Sequence, residues 1–120
     1  MPTAVEDDGV VVDVVFESGL LYLELCNLTG RPVLGVSCTF EPALVDAQGR
    51  DVSKLPLFRA VDWLGPDRRI RTLLDTSQGW FGRKAPLRVK VTTKWKAPDG
   101  KARTAAVSHN LAIYRDLAYV

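Results

Sequence analysis

Short runs of alternating hydrophobic and polar residues make up most of this chain. In the clearest run, residues 87–95, Val89, Val91 and Trp95 share one side and charged or polar residues share the other. A period of two residues places alternate side chains on opposite faces of a β-sheet. No segment of about 11 or more residues shows the periodicity of an amphipathic helix. The pattern therefore predicts an all-β protein.

Turn residues divide the chain into about seven strands, at the spacing typical of a β-sandwich. The predicted strands cover residues 10–17, 20–26, 33–40, 58–64, 69–74, 87–95 and 102–111. Residues 46–49 and 97–100 are predicted turns, and residues 75–85 are a predicted loop. We expect an immunoglobulin-like antiparallel β-sandwich, although the Cys-Trp-Cys spacing of antibody domains is absent.

Alternation within the runs also predicts which side chains form the core. The expected core residues are Val12, Val14, Leu21, Leu23, Leu25, Val36, Phe40, Ile70, Val89, Val91 and Trp95. With 120 residues and 47% hydrophobic composition, the chain is long enough for one such core without metal or disulfide support. We expect a flexible N-terminal arm over residues 1–9 and a single domain over residues 10–120.

The two cysteines, Cys26 and Cys38, fit neither a CxxC motif nor a zinc-binding pattern. Alternation points Cys26 away from the core and Cys38 into it, and side chains on opposite faces do not readily form a disulfide. The prediction is two free thiols in a reducing compartment. The N-terminus is acidic and lacks the apolar region of a secretory signal, so we expect a cytoplasmic protein or a domain cut from a longer chain. No apolar stretch is long enough to span a membrane.

Charge is distributed unevenly along the chain. Residues 1–30 contain six acids and no Lys or Arg, whereas residues 68–103 contain eleven basic residues and two acids, and the net charge is only +2. A basic face is predicted for the strand over residues 87–95, and Arg69 and Arg71 could share it. The predicted face comprises Arg88, Lys90, Lys94, Lys96, Arg69 and Arg71.

Two interpretations of this basic face remain open. It could bind an anionic partner such as nucleic acid, although no aromatic residue appears among its cations to stack on bases. It could also be a solvated sheet face, with acids such as Asp13 or Glu17 opposite Lys90 or Lys94.

The segment around Trp80 is the second candidate surface. Two aromatic residues stand beside two cations between glycines, in the order Trp80, Phe81, Arg83 and Lys84. Aromatic and Arg residues often dominate the binding energy of protein interfaces, so these four residues are a predicted partner-binding site. The alternative is that Trp80 and Phe81 fold back and close the open end of the sandwich.

Residues 21–36, LYLELCNLTGRPVLGV, resemble the strand–turn–strand opening of bacterial immunoglobulin-like domains of the CARDB-like kind. Gly65-Pro66 before the next basic strand, and the final hairpin around Pro98-Asp99-Gly100, resemble later turns of such domains. The resemblance implies a β-sandwich and an interaction module. It brings no catalytic residue to this chain.

Catalytic and metal-binding motifs are scarce. The single histidine, His109, is adjacent to Ser108, but neighbouring strand residues face opposite sides and cannot form a dyad. Neither a metal site nor a cofactor is predicted. The sequence thus favours a non-catalytic protein-interaction module, with a basic module for nucleic acid as the alternative. An enzyme using His109 and a cysteine is a third possibility.

Overall fold

The computed structural model describes residues 9–119. Within this range the chain forms seven strands in two antiparallel sheets, which confirms the predicted all-β sandwich. The strands are β1 (Val10–Glu17), β2 (Leu20–Asn27), β3 (Val33–Glu41), β4 (Val61–Leu64), β5 (Arg69–Thr76), β6 (Arg88–Lys96) and β7 (Ala102–Asn110). No helix in the described range is long and apolar enough to cross a membrane.

Sheet A has three strands in the order β1-β2-β5, and sheet B has four in the order β4-β3-β6-β7. The chain changes sheet between β2 and β3, between β4 and β5, and between β5 and β6. Strands β1 and β2 are joined by a tight turn, in which Ser18 and Gly19 have φ of 52° and 77°. Positive φ at both central residues matches the right-handed twist of a hairpin.

Four short helices interrupt the strands. They are 3₁₀ helices at Val52–Lys54, Pro56–Phe58 and Leu111–Tyr119, and one α-helix, α1, at Ser77–Phe81. The strand predicted over residues 58–64 begins only at Val61, because Pro56 starts a 3₁₀ turn that runs to Phe58. The segment predicted as a loop over residues 75–85 contains α1. The predicted arm lies almost wholly outside the described residues, but Gly9 itself is buried.

The core lies between the two sheets. Nine of the eleven predicted core residues are buried, whereas Phe40 and Ile70 are partly buried and pack against its margin. Alternation did not predict the buried residues that come from short or irregular segments. These are Leu44, Val52, Phe58, Leu64, Trp80 and Leu111.

Asn27, at the end of β2, ties the two sheets together. Its side-chain amide donates to the carbonyl oxygens of Arg31, Leu64 and Gly65, at 2.7, 3.1 and 2.9 Å. Its carboxamide oxygen accepts from the backbone N–H and the hydroxyl of Thr29, at 3.0 and 2.7 Å. Asn27 is fully buried, so these bonds are shielded from water. The β2–β3 turn and the β4–β5 turn are therefore held against one side chain.

We expect Asn27→Ala to destabilise the protein by about 2–4 kcal/mol, because buried carbonyl groups lose their donor. Thr29→Ala is the matched control. It removes the hydroxyl, which contacts Asn27 and the backbone of Arg31, but it leaves the three amide–carbonyl contacts in place and should cost about 1 kcal/mol. Urea unfolding of both variants measures the difference, and equal losses would show that the amide does not hold the turns.

Candidate functional site

Trp80 lies in the core rather than on the surface. It is fully buried in α1, and its indole Nε1 donates to the carbonyl oxygen of Pro86 at 3.0 Å. Thr76 caps the helix through its hydroxyl oxygen, which accepts from the N–H of Gly79 at 2.9 Å. The prediction that Trp80 is part of an exposed contact surface is wrong. A Gly-flanked sequence looks like a loop, but the capped turn directs the indole inward.

The rest of the predicted partner-binding site closes the same end of the sandwich. Arg83 stacks on the Trp80 ring at 5.0 Å and donates to Asp75 Oδ2 at 2.8 Å and to the Val45 carbonyl oxygen at 2.7 Å. Phe81 is half-buried against the core. Of the four residues, only Lys84 is exposed. The alternative interpretation of this segment, closure of the sandwich, is the one that the structure supports.

Arg69 and Arg71 do not share a face with the other predicted cations, because β5 is in sheet A and β6 is in sheet B. Both arginines bind Glu24 of the neighbouring β2, each at 3.2 Å. Arg71 also binds Glu17 of β1 at 2.7 Å and stacks on Tyr22 at 4.9 Å. The acidic beginning of the chain therefore neutralises β5, not the basic strand β6.

Glu24 is ionised at the centre of this cluster. Burial alone would raise the pKa of its carboxyl group, but hydrogen bonds from Arg69 and Arg71 outweigh burial and hold the pKa below its usual value. The Cys26 thiol lies beside it, and Arg69 Nη1 is 3.2 Å from the sulfur. On the outer face of sheet A, both arginines of β5 are thus paired with acids of β1 and β2.

The outer face of sheet B carries unpaired cations. Arg88, Lys90, Lys94 and Lys96 of β6 are exposed, and none of them forms an ion pair in the described part of the chain. Their neighbours across the sheet are mostly small and uncharged. Lys94 lies between Ser37 and Thr104, whereas Lys90 lies between Glu41 and Ser108. We call these four side chains the cation ladder.

An exposed apolar row crosses one end of the cation ladder. The strand register places Trp63, Leu34 and Lys96 side by side on β4, β3 and β6. Trp63 is 59% exposed and Leu34 is 37% exposed. A Cβ atom at Gly65 would lie 3.1 Å from the Trp63 ring, so the absence of a side chain there lets the indole lie against the backbone. Trp63 was not among the predicted site residues, because alternation did not reveal the extent and pairing of β4.

A pocket of about 310 Å³ lies at the same end of the sandwich. Trp95, Val33 and Pro98 provide its apolar lining, and Arg31 and Arg103 contribute exposed guanidinium groups. Neither arginine forms an ion pair with the other described residues. Asp99 also lines the pocket, so its two arginines leave one net positive charge beyond Lys96.

His109 contacts backbone rather than a nucleophile. Its Nε2 lies 2.8 Å from the Val12 carbonyl oxygen, and the shallow pocket beside it is lined by Glu41, Arg88 and Ser108 but by neither cysteine. Among residues 9–119, no group of three or more His, Cys, Asp or Glu side chains is placed to hold a metal ion. The arrangement offers no support for a His–Cys enzyme.

Both cysteines are free, as predicted. Burial raises the pKa of each thiol to about 11, although Arg69 opposes this effect at Cys26. Cys26 was expected to face away from the core. It does so, but Glu24 and Arg69 cover it.

Comparison with protein-family models, curated proteins and solved structures finds no match. The geometry of the two sheet faces is therefore the basis for inferring a function.

Trp80 and Trp63 provide a matched pair of substitutions. We expect Trp80→Ala to cost about 3–5 kcal/mol, because it empties a filled core site. Trp63→Ala should cost less than about 1 kcal/mol, because the side chain is mostly exposed. Urea unfolding measures both changes in the free energy of unfolding. A small loss for Trp80→Ala would show that the indole is not buried in the core.

Thiol reactivity provides a test of the cysteine environments. Because the thiolate is the reactive form, both cysteines should react far more slowly in the native protein at pH 8 than after unfolding. Unfolding without reductant should expose two titratable thiols, and a count of zero in a monomer would contradict the free state. From pH 9 to pH 11 the unfolded chain loses thiol protons that the folded protein retains, so stability should decrease over that range.

Proposed function

We propose that this domain is a non-catalytic protein-interaction module that binds an acidic protein surface through the outer face of sheet B. The observation that carries the proposal is the unpaired cation ladder beside the exposed Trp63 and Leu34. Exposed Trp beside a second apolar side chain is a common energetic centre of protein interfaces. Surrounding cations provide orientation and speed the encounter with an acidic partner.

The difference between the two sheet faces supports this choice of surface. On sheet A, Glu24 and Glu17 already occupy Arg69 and Arg71. On sheet B, an incoming carboxylate need not displace an existing ion pair. Arg31 and Arg103 at the adjacent pocket extend the attractive charge to the end of the sandwich.

A nucleic-acid partner is the alternative that the cation ladder also favours. One aromatic residue, Trp63, stands at the end of the ladder rather than between its cations. Stacking platforms for single strands usually place several aromatic rings along a basic groove. The apolar pair Trp63 and Leu34 is better suited to a protein surface, so nucleic acid becomes an outcome of the test.

We also propose that this domain has an immunoglobulin-like topology and belongs to the CARDB-like class that its sequence resembles. Support comes from the division of seven short antiparallel strands into two sheets, with the chain crossing between them. Free cysteines support a reducing compartment such as the bacterial cytoplasm.

The decisive variant reverses charge on the cation ladder. Lys90→Glu with Lys94→Glu should abolish capture of an acidic protein from lysate of the native host, because both side chains then repel it. Lys84→Glu with Arg59→Glu is the control, with the same change in net charge at exposed positions outside the ladder. Both variants should unfold at the same temperature as the wild-type protein.

Quantitative mass spectrometry of the captured proteins measures the effect. The expected result is at least about tenfold less of the partner with the ladder variant and no change with the control. Equal capture by both variants would overturn the proposal. Binding of a labelled DNA duplex by wild-type protein, with a log–log salt slope near −0.9 per phosphate contact, would favour the nucleic-acid alternative instead.

A further inference from the structure

We propose that β7 accepts an extended acidic segment of the partner as an added fifth strand of sheet B. The inference depends on the proposed function and specifies how the partner binds. In strand addition, main-chain hydrogen bonds provide the affinity, and contacts of alternate side chains provide the specificity. Three observations carry it: the free edge of β7, the blocked or broken edges elsewhere, and the position of the cation ladder one strand inward.

The hydrogen bonds of the β6–β7 hairpin determine which backbone groups of β7 are free. Ala97 N–H donates to the Lys101 carbonyl oxygen at 2.9 Å, and Leu111 N–H donates to that of Leu87 at 2.6 Å. Odd-numbered residues of β7 therefore direct their backbone groups toward β6, since the register is unbroken from Ala102 to Asn110. Backbone groups of the even-numbered Thr104, Ala106 and Ser108 point away from β6.

These three residues are exposed, and β7 has no other partner strand among the described residues. Residues 104–108 include no charge, no proline and no bulge. Proteins usually protect long regular edges with such features, because unpaired backbone groups attract another strand. Within the described range, residues 9–119, this edge is left open.

The other edges of the sandwich are blocked or irregular. On β1, the Val12 carbonyl oxygen is bound by His109 and that of Val14 by the Tyr114 hydroxyl, at 2.8 and 3.2 Å. The Val14 N–H donates to Asp13 Oδ1 at 2.8 Å. Strand β4 has four residues. Strand β5 carries paired arginines, and its register with β2 shifts between Leu21 and Tyr22.

Charge complementarity identifies the occupant as an acidic segment. Neighbouring strands lie about 4.8 Å apart, so an added strand would run roughly 10 Å from β6. On the outer face, the β7 side chains that would lie between β6 and the added strand are small, namely Thr104, Ala106 and Ser108. Acidic side chains on the outer face of the added strand can therefore reach Lys90 and Lys94 across β7. A second copy of this chain would instead add another unpaired cation ladder to the same sheet.

The inner face of the added strand requires apolar residues. Ala105 and Val107 on β7 face inward and are only partly buried, so an added strand would cover them. The segment that fits is thus an alternation of acidic and β-branched residues.

A synthetic peptide of about seven residues, acetyl-Val-Glu-Val-Glu-Val-Glu-Val-amide, is the probe. Its affinity for the full chain is measured by isothermal titration calorimetry, next to a peptide with Lys in place of Glu. Ala106→Pro removes an outward N–H without affecting the β6–β7 ladder, since proline is tolerated at an edge position whose N–H faces solvent. Ala106→Thr retains the N–H and is the control.

We expect Ala106→Pro to weaken binding of the Glu peptide by at least about tenfold and Ala106→Thr to leave it unchanged, with both variants folded by circular dichroism. Two N-methylated Glu peptides, one at each set of alternate positions, report on the backbone directly. One should lose binding and the other retain it, because only one set of N–H groups faces β7.

The outcomes separate this inference from the proposed function. Lys90→Glu with Lys94→Glu tests binding to the face, whereas Ala106→Pro and the N-methylated peptides test strand addition. If the charge reversal abolishes peptide binding but the other changes behave like their controls, the acidic partner binds the face and strand addition is wrong. All titrations are repeated with Glu6→Gln, Asp7→Asn and Asp8→Asn combined, so that acids of the chain itself do not compete. No binding of the Glu peptide to either protein, or equal binding of the Lys peptide, would falsify strand addition.

Discussion

The carboxamide of Asn27 determines how the two sheets meet. It is the last residue of β2, and it binds the turn that leads to β3 and the carbonyl groups that end β4. Trp63 and Leu34 lie on those two strands, one residue from the turns that Asn27 holds. Without this anchor, the position of Trp63 would depend only on β4, a four-residue strand at the edge of sheet B. The exposed apolar row is therefore positioned by a buried polar group.

Pairing of strands decides which charges are available for binding. Strand β5 is basic and lies beside the acidic strand β2, so its arginines are bound to Glu24. Strand β6 has four basic residues, and its neighbours β3 and β7 present mainly Ser, Thr and Ala to the outer face, with Glu41 opposite Lys90. A net charge of +2 hides this division. Topology, rather than composition, makes one face neutral and the other attractive to anions.

Sequence periodicity predicted the long strands well, because a buried face demands strict alternation over eight or nine residues. It identified the cation ladder on β6 for the same reason. It misplaced Arg69 and Arg71, since alternation assigns a side chain to a face but does not assign a strand to a sheet. It also missed Trp63 on a four-residue strand and the burial of Trp80. That burial depends on the Thr76 cap and on the Pro86 carbonyl group, two contacts that alternation does not describe.

The single histidine illustrates how a residue that suggests chemistry can serve the architecture instead. His109 lies on the inner face of β7, where its ring reaches across to the free carbonyl group of Val12 on β1. That bond leaves β1 less able to recruit a strand, and it holds β7 at the margin of the sandwich. The even-numbered backbone groups of β7 point the opposite way from β6 and receive no such cover. His109 of β7 and Tyr114 of the following 3₁₀ helix therefore close the edge of β1, and among residues 9–119 the edge of β7 is the long, regular one on which a partner strand could add.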